Sequence, residues 1–284
     1  MGAYLSADQQ EAYRRDGFLA LPGFADPARC LALRERALEL ARERVPPPEQ
    51  AAVFAADGGL RHAAERYFLT SGEAIRCFFE KDAFADGRLQ GEAHLSLNKL
   101  GHAMHDLDPA FGAFSRTPAL AAIADDMDMA DPLLLQSMYI FKQPRIGGEV
   151  VCHTDHSYLW TDPPSVVGFW FAIDDATTGN GCLWALPGGH RLPVKARSKL
   201  NAERTATELE VFDATPYPSA GLVPLEARRG TLILLHGALP HLSGPNRSDK
   251  PRHAYTLHAI DGTARYPDDN WLQRRTLPLR GFSG

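Results

Sequence analysis

The stretch TLILLHGALPHLSGPNRSDKPRHAYTLHAI (residues 231–260) contains two short apolar runs, TLILLHG (231–237) and HAYTLHAI (253–260), around a turn-rich connection. Both runs are rich in β-branched and aromatic residues, which is typical of strands. Three similar runs precede them, at LLLQSMYIFKQ (133–143), VVGFWFAI (166–173) and CLWAL (182–186). Gly, Pro, Asn and Asp lie between the runs. Several short strands separated by turns predict a β-sandwich or barrel.

The residues before about 130 have a different pattern, which predicts helices. A capping box in SADQQEAYRRDG (6–17) predicts one helix, and the Asp-Pro pair at 26–27 predicts the start of a second. A Thr-Pro pair at 117–118 predicts another, and a helix is also expected around His102. We therefore expect one domain over residues 1–284. Its helix-rich part, about 1–130, would pack on a sheet of a β-rich catalytic core, about 131–262.

Composition favours a globular enzyme over several other classes. A chain of 284 residues with 44% hydrophobic content is long enough to bury a large core. The net charge of −5 argues against a nucleic-acid surface, and the sequence lacks an apolar run of transmembrane length. The four cysteines are widely spaced and form no CxxC pair, which predicts a cytoplasmic location. These features leave open whether the protein is a monomer or a homodimer.

The segment VCHTDHSYLW (151–160) suggests a metal site. If it lies in a strand, His153 and Asp155 point to the same side and can bind one ion, while His156 points away toward a polar rim or the substrate. Two histidines and one carboxylate leave three coordination positions open, as in non-haem Fe(II) oxygenases. The pair alone is weak evidence, so a second, distant histidine is required.

The candidates for that distant histidine lie in residues 231–260; they are His236, His241, His253 and His258. His236 ends an apolar run, where a structural histidine is the better default. His241 is followed by Ser-Gly-Pro-Asn at 243–246, and Arg252 comes eleven residues after it. An arginine there is well suited to the far carboxylate of 2-oxoglutarate, whose 2-oxo acid end chelates iron.

Several ordered motifs resemble the phytanoyl-CoA dioxygenase family of Fe(II)/2-oxoglutarate oxygenases. They are LSADQQEAYRRDGFLALPGF (5–24), HTD (153–155), NGCLWALPGGHR (180–191) and HLSGPNRSDKPRHAY (241–255). Four further segments are most similar to the phytanoyl-CoA dioxygenase domain-containing proteins: LNKLGHAMH (97–105), SMYIFKQP (137–144), GGEVVCHTDHSYLWTDPPS (147–165) and NWLQ (270–273). The resemblance extends over nearly the whole chain.

This resemblance implies a double-stranded β-helix, a cupin-like jelly-roll barrel that is mainly β, with helices packed on one sheet. It implies that iron is bound by His153, Asp155 and His241. It also implies that Arg252, assisted by Ser243, binds the far carboxylate of 2-oxoglutarate. The positions that line the cosubstrate pocket in similar proteins correspond here to Lys99, Met138 and Trp170.

The expected function is a dioxygenase that uses O2 and 2-oxoglutarate to hydroxylate or otherwise oxidise a small molecule, releasing succinate and CO2. Asp155 favours oxidation over halogenation, because related halogenases have a small residue in its place. Two alternatives remain: a cupin-type hydrolase or isomerase with another divalent ion, and a catalytically silent protein that binds metal and 2-oxoglutarate. The substrate is an acyl-CoA or another small molecule.

Overall fold

The computed structural model describes residues 3–47, 61–86 and 88–282, and within these ranges its α-helices lie before residue 130. They are α1 Ala7–Asp16, α2 Pro27–Arg44, α3 Arg61–Leu69, α4 Met104–Leu107, α5 Pro109–Ser115 and α6 Pro118–Asp126. The predicted capping box begins α1, since Gln9 N donates to Ser6 Oγ at 3.2 Å and Ser6 N donates to Gln9 Oε1 at 2.9 Å. Asp26 and Thr117 cap α2 and α6 as predicted.

A seven-stranded antiparallel sheet forms the largest layer of the molecule. In spatial order its strands are β1 Phe18–Leu21, β13 Leu232–His236, β8 Val167–Ala172, β15 Ala254–Asp261, β6 Pro132–Ile140, β5 Leu97–His102 and β2 Ile75–Phe79. Four of the five apolar runs, at β13, β8, β15 and β6, therefore lie side by side.

A smaller, four-stranded sheet carries the metal-site motif. In spatial order it contains β12 Val223–Leu225, β9 Leu183–Ala185, β14 His241–Ser243 and β7 Val150–His153. Two separate two-stranded ribbons pair β3 Phe84–Ala85 with β4 Arg88–Leu89, and β10 Ala196–Leu200 with β11 Thr207–Val211. From β6 onward the chain alternates between the two main sheets, which is the connectivity of a jelly roll. The predicted double-stranded β-helix is confirmed.

Side-chain alternation along the large sheet separates a helix-facing core from the interior of the sandwich. On β8, Phe169 and Phe171 belong to the buried cluster that includes Leu33 of α2, whereas Trp170 belongs to a cluster with Leu183 of the small sheet. Alternate residues of a strand point to opposite faces, so every second side chain of β8 and β15 points between the sheets. This alternation directs the side chains of the candidate site, described below, into the space between the sheets.

Three strands of the large sheet, β1, β2 and β5, come from the part of the chain for which the sequence predicted helices. The prediction of a helix around His102 is wrong at that residue. His102 ends β5, and the short α4 begins only at Met104. Pairing with β6 explains the difference: Lys99 lies opposite Ile140 in that register. A neighbouring strand can impose extended structure on a segment with little β-propensity of its own.

Among the described residues, no helix is long and apolar enough to cross a membrane.

Candidate active site

His153 and His241 face each other across the β7–β14 pair of the small sheet. Their ring centroids are 4.4 Å apart. Each Nδ1 lies near a backbone carbonyl oxygen two residues earlier, at 2.8 Å from Val151 O and 3.0 Å from Leu239 O. Because a carbonyl only accepts, both Nδ1 atoms donate, and both Nε2 atoms keep a free lone pair. The two rings are therefore in the tautomer that a metal ion requires.

Asp155 supplies the carboxylate. The sequence predicted that it lies in a strand together with His153, but in the structure it lies just after the strand. Strand β7 ends at His153, and Asp155 begins a single 3-10 turn. The extended backbone of Thr154, with φ −121° and ψ 140°, preserves the alternation, so Asp155 still points to the same side as His153. Its Oδ1 lies 3.6 Å from His153 Nε2 and 3.8 Å from His241 Nε2. The three ligand atoms lie within 4.8 Å of one another, so they could hold one metal ion.

The electrostatics of this group suit a cation. Burial lowers the pKa of His241 to about 4, with a further contribution from the charge of His153. Burial alone would raise the pKa of Asp155, but the imidazoles of His258 and His241 outweigh it and hold that pKa well below its usual range. Burial opposes protonation of His153 too, although its hydrogen bond and charge interaction with Asp155 raise its pKa. An ionised carboxylate thus lies beside two imidazoles, a set of groups that suits a cation.

A third histidine, His258 of β15, approaches Asp155 from the large sheet. Its Nε2 lies 3.2 Å from Asp155 Oδ2, and its Nδ1 lies 3.1 Å from Gln136 Nε2. Because the ionised carboxylate only accepts, His258 Nε2 donates to it and Nδ1 accepts from the amide of Gln136. Gly168 leaves room for this arrangement, since a Cβ there would lie 3.2 Å from Asp155 Oδ2. The sequence offered His258 only as an alternative ligand, and it missed Gln136 and Gly168.

Arg252 lies at the other end of the site and is only 2% exposed. Its Nη2 donates to Gly181 O at 2.9 Å and lies 3.4 Å from Ser243 Oγ. Its guanidinium carbon lies 5.4 Å from the ring centroid of Trp170. Within the described residues, Arg252 Nε and Nη1 have no hydrogen-bond partner. Burial lowers the pKa of Arg252 to about 10, so the group remains a cation at neutral pH. Such a buried, partly unpartnered fork is suited to a carboxylate.

One cavity of about 210 Å³ connects the two ends. All of the site residues predicted from the sequence line it: His153, Asp155, His241, Lys99, Met138, Trp170, Ser243 and Arg252. The ammonium of Lys99 lies 5.5 Å from the ring centroid of Phe78. Lys99 is half-buried, and burial lowers its pKa to about 8. The structure thus brings these residues together around a single space.

A second cavity of about 340 Å³ adjoins the metal-ligand group. It shares six residues with the first cavity and adds an aromatic wall; the shared residues are Lys99, Met138, Val150, His153, Asp155 and His258. In that wall Phe68 stacks on Trp271 with ring centroids 4.3 Å apart. The sequence did not predict this wall, because its two residues are distant in the chain and come together only in the folded protein.

The remaining candidate histidines lie outside the metal-ligand group. His236 Nδ1 accepts a hydrogen bond from Ala238 N at 3.1 Å, which fits the structural role expected for it. His253 Nδ1 lies 2.8 Å from Tyr139 Oη. The prediction that His156 lies at a polar rim or faces the substrate is wrong. His156 is 1% exposed and packs on Trp160 with ring centroids 4.4 Å apart, because the turn at Asp155–Ser157 directs it inward.

Solved structures share this fold. EctD from S. alaskensis, in its apoform, superposes with a TM-score of 0.68 at 19% identity, covering 99% of this chain and 86% of its own. The epimerase SnoN, in complex with Fe3+, alpha ketoglutarate and nogalamycin RO, superposes with a TM-score of 0.63 at 17% identity, covering 95% of this chain and 89% of its own. At these identities the similarity concerns the fold.

Sequence relatives are much more similar. A phytanoyl-CoA dioxygenase of Arabidopsis thaliana is 38% identical over 278 residues, which are 96% of this chain and 95% of the plant protein. The phytanoyl-CoA dioxygenase domain-containing protein 1 of Mus musculus is 39% identical over 279 residues, which are 95% of this chain and 96% of the mouse protein. The family model for phytanoyl-CoA dioxygenase (PhyH) matches residues 13–254. The chain therefore belongs to the phytanoyl-CoA dioxygenase (PhyH) family.

Proposed function

We propose that this protein is an Fe(II)- and 2-oxoglutarate-dependent dioxygenase that hydroxylates or otherwise oxidises a small molecule and releases succinate and CO2. One observation carries the proposal: a single cavity has a metal-ligand group at one end and the buried, partly unpartnered Arg252 at the other. A dicarboxylic 2-oxo acid has a chelating end and a carboxylate end, which match these two features.

In this proposal His153, Asp155 and His241 hold the iron, which supplies the activation of O2 when it is bound. The hydrogen bonds of the two histidines to backbone carbonyls keep their Nε2 atoms unprotonated and oriented. The hydrogen bond from His258 to Asp155 Oδ2 leaves Oδ1 as the ligand atom, since Oδ1 is the oxygen nearest both histidines. The chain's own contribution is thus to fix three ligand atoms before the ion arrives.

The same proposal assigns the far carboxylate of 2-oxoglutarate to Arg252 and Ser243, over the ring of Trp170. Lys99 and Met138 line the same cavity. Proteins with the same fold have been solved with such cosubstrates: SnoN with alpha ketoglutarate, and EctD with 2-oxoglutarate and 5-hydroxyectoine. These cases support the assignment of cofactor and cosubstrate.

We assign the substrate to the second cavity, because it is lined by His153 and Asp155 but not by Arg252 or Ser243. Phe68, Trp271 and Leu159 give it an apolar surface that would exclude water and position a C–H bond near the metal. A volume of about 340 Å³ suits a small molecule or the acyl end of a larger thioester. We also propose that residues 1–284 form one catalytic domain and that the protein is cytoplasmic.

An anaerobic titration tests the function against both alternatives. Adding Fe(II) and 2-oxoglutarate together, without oxygen, should produce a weak visible charge-transfer band that neither gives alone. Admitting oxygen in the presence of candidate substrates should then give succinate. A metal-dependent hydrolase or isomerase would give no band and no succinate, whereas a silent binding protein would give the band but no succinate. Either result would contradict the proposed function.

A further inference from the structure

Lys142, which follows β6, is an unusually buried lysine. It is 1% exposed, and its Nζ donates to Gly148 O at 2.6 Å and to Ser243 Oγ at 2.8 Å. Its backbone φ of 41° lies in the left-handed region, which costs a side-chain-bearing residue free energy. Lysine is almost never fully buried unless it is paired. A strained, buried lysine therefore indicates a function for its charge.

Lys142 and Arg252 converge on the same hydroxyl, that of Ser243. Neither cation forms an ion pair with a carboxylate in the part of the chain that the structure describes. The buried Glu80 accepts from Gly148 N at 3.2 Å, which places it beside the neighbouring loop without an ion pair to Lys142. Burial and the charge of Arg252 lower the pKa of Lys142 to about 7. Two buried cations thus line the first cavity together. Among the described residues, Glu80 and Glu149 act on Lys142 only from beyond ion-pair distance.

Gly181 shapes the backbone around these two cations. Its carbonyl oxygen accepts from Arg252 Nη2 at 2.9 Å and from Ser243 Oγ at 3.2 Å. A Cβ at Gly181 would lie only 2.7 Å from Lys142 Cε and 2.5 Å from Gly244 O, at a φ of +85°. The close approach of Lys142 therefore depends on the absence of a side chain at this turn. The turn at Gly181 therefore accommodates Lys142 as well as Arg252.

We propose that Lys142 is the second cation of the cosubstrate subsite. With Arg252 and Ser243 it binds the far carboxylate of 2-oxoglutarate, and it selects dicarboxylic over monocarboxylic 2-oxo acids. An ammonium has three donors, and two of those of Lys142 are used by Gly148 O and Ser243 Oγ, so one remains for the ligand. A monocarboxylic acid would leave both buried cations without a directly bound carboxylate, which is the physical basis of the selection. This inference rests on the proposed function.

The test compares the wild-type protein with Lys142→Met, which keeps the chain length and removes the charge. Fe(II)-loaded protein is titrated anaerobically with 2-oxoglutarate and with 2-oxopentanoate, which has the same chain length but lacks the far carboxylate. We expect Lys142→Met to lose roughly 10- to 1000-fold in affinity for 2-oxoglutarate and about twofold or less for 2-oxopentanoate. Lys250→Met, which removes an exposed lysine of the 241–252 segment, should match the wild type with both acids.

A thermal melt of the ligand-free proteins separates a binding role from a structural one. Removing an uncompensated buried charge should leave the melting temperature of Lys142→Met equal to or above that of the wild type. An unchanged affinity for 2-oxoglutarate in Lys142→Met would overturn the inference. Equal losses for both acids together with a lowered melting temperature would also overturn it, because they indicate damage to the fold. If the wild-type protein itself gives no band with 2-oxoglutarate, the proposed function fails, and this inference fails with it.

Discussion

Replacing Arg252 tests the cosubstrate assignment because the structure leaves this guanidinium partly unpartnered. Its Nε and Nη1 have no partner among the described residues, and the side chain is 2% exposed. A carboxylate bound there would form a buried, charge-assisted pair. Removing one partner of such a pair costs about 2–5 kcal/mol, much of it from leaving the other charge unpaired. Arg252→Ala should therefore weaken 2-oxoglutarate binding about 30-fold to several thousand-fold.

Arg252→Lys provides a graded comparison. It keeps a positive charge but loses the planar fork, so its affinity should lie between those of the wild type and Arg252→Ala. Affinity is measured by anaerobic titration of 2-oxoglutarate into each Fe(II)-loaded protein, followed by the visible band. Arg247→Ala, an exposed arginine of the same segment, is the matched control and should behave as the wild type.

Iron binding should barely change in either Arg252 variant, because Arg252 contacts Gly181, Ser243 and Trp170 rather than the metal ligands. A competition titration with a chelator measures it separately. An unchanged 2-oxoglutarate affinity in Arg252→Ala would refute the reasoning, since the buried cation would then have another purpose. Loss of iron together with 2-oxoglutarate would refute the separation of the two subsites.

Three further predictions concern other groups of the site. His241→Ala should lose iron and turnover, whereas His236→Ala should keep iron at some cost in stability. The iron content of each purified variant is measured after desalting. Iron lost from His236→Ala and kept in His241→Ala would exclude His241 as the ligand. His258→Phe should weaken metal binding roughly 10- to 100-fold, because the carboxylate loses its orienting donor; a chelator competition that gives the wild-type affinity would contradict this. The pKa of Lys142, about 7 in the folded protein and 10.5 as the ordinary value, predicts that unfolded chains bind more protons between these pH values. Its destabilising effect on the ligand-free protein should thus be complete below pH 7 and shrink by up to about 1.4 kcal/mol per pH unit above it. Denaturant unfolding of wild type and Lys142→Met at pH 7 and 9 measures this difference, and a difference that is independent of pH would contradict the prediction.

The sequence predicted features that depend on neighbouring residues in the chain. The cap at Ser6 and the Thr117 cap are local hydrogen-bond patterns, and the structure has both. The pairing of His153 with Asp155 depended only on strand alternation, which survived the end of the strand because Thr154 stays extended. The apolar runs after residue 132 were found because burial on both faces requires them.

Features that depend on distant partners could not be predicted in the same way. Strand β5 is extended because it pairs with β6, and its own residues give little indication of this. His258 and Lys142 act through contacts with Asp155 and Ser243, which are about one hundred residues away along the chain. A lysine at the end of the apolar run 133–143 was the available signal for Lys142, but charge at a strand end is usually solvated. His156 turned inward because a turn, not a strand, follows His153.

A crystal structure of the protein with Mn(II) and N-oxalylglycine, an unreactive analogue of 2-oxoglutarate, tests the central claim most directly. Anomalous scattering locates the ion independently of any assumption about the fold. We expect it within about 2.0–2.3 Å of His153 Nε2, His241 Nε2 and Asp155 Oδ1, as is typical of such ligands. The far carboxylate of the analogue should contact Arg252 and Lys142. An ion at other residues, or a far carboxylate bound away from Arg252, would contradict the account.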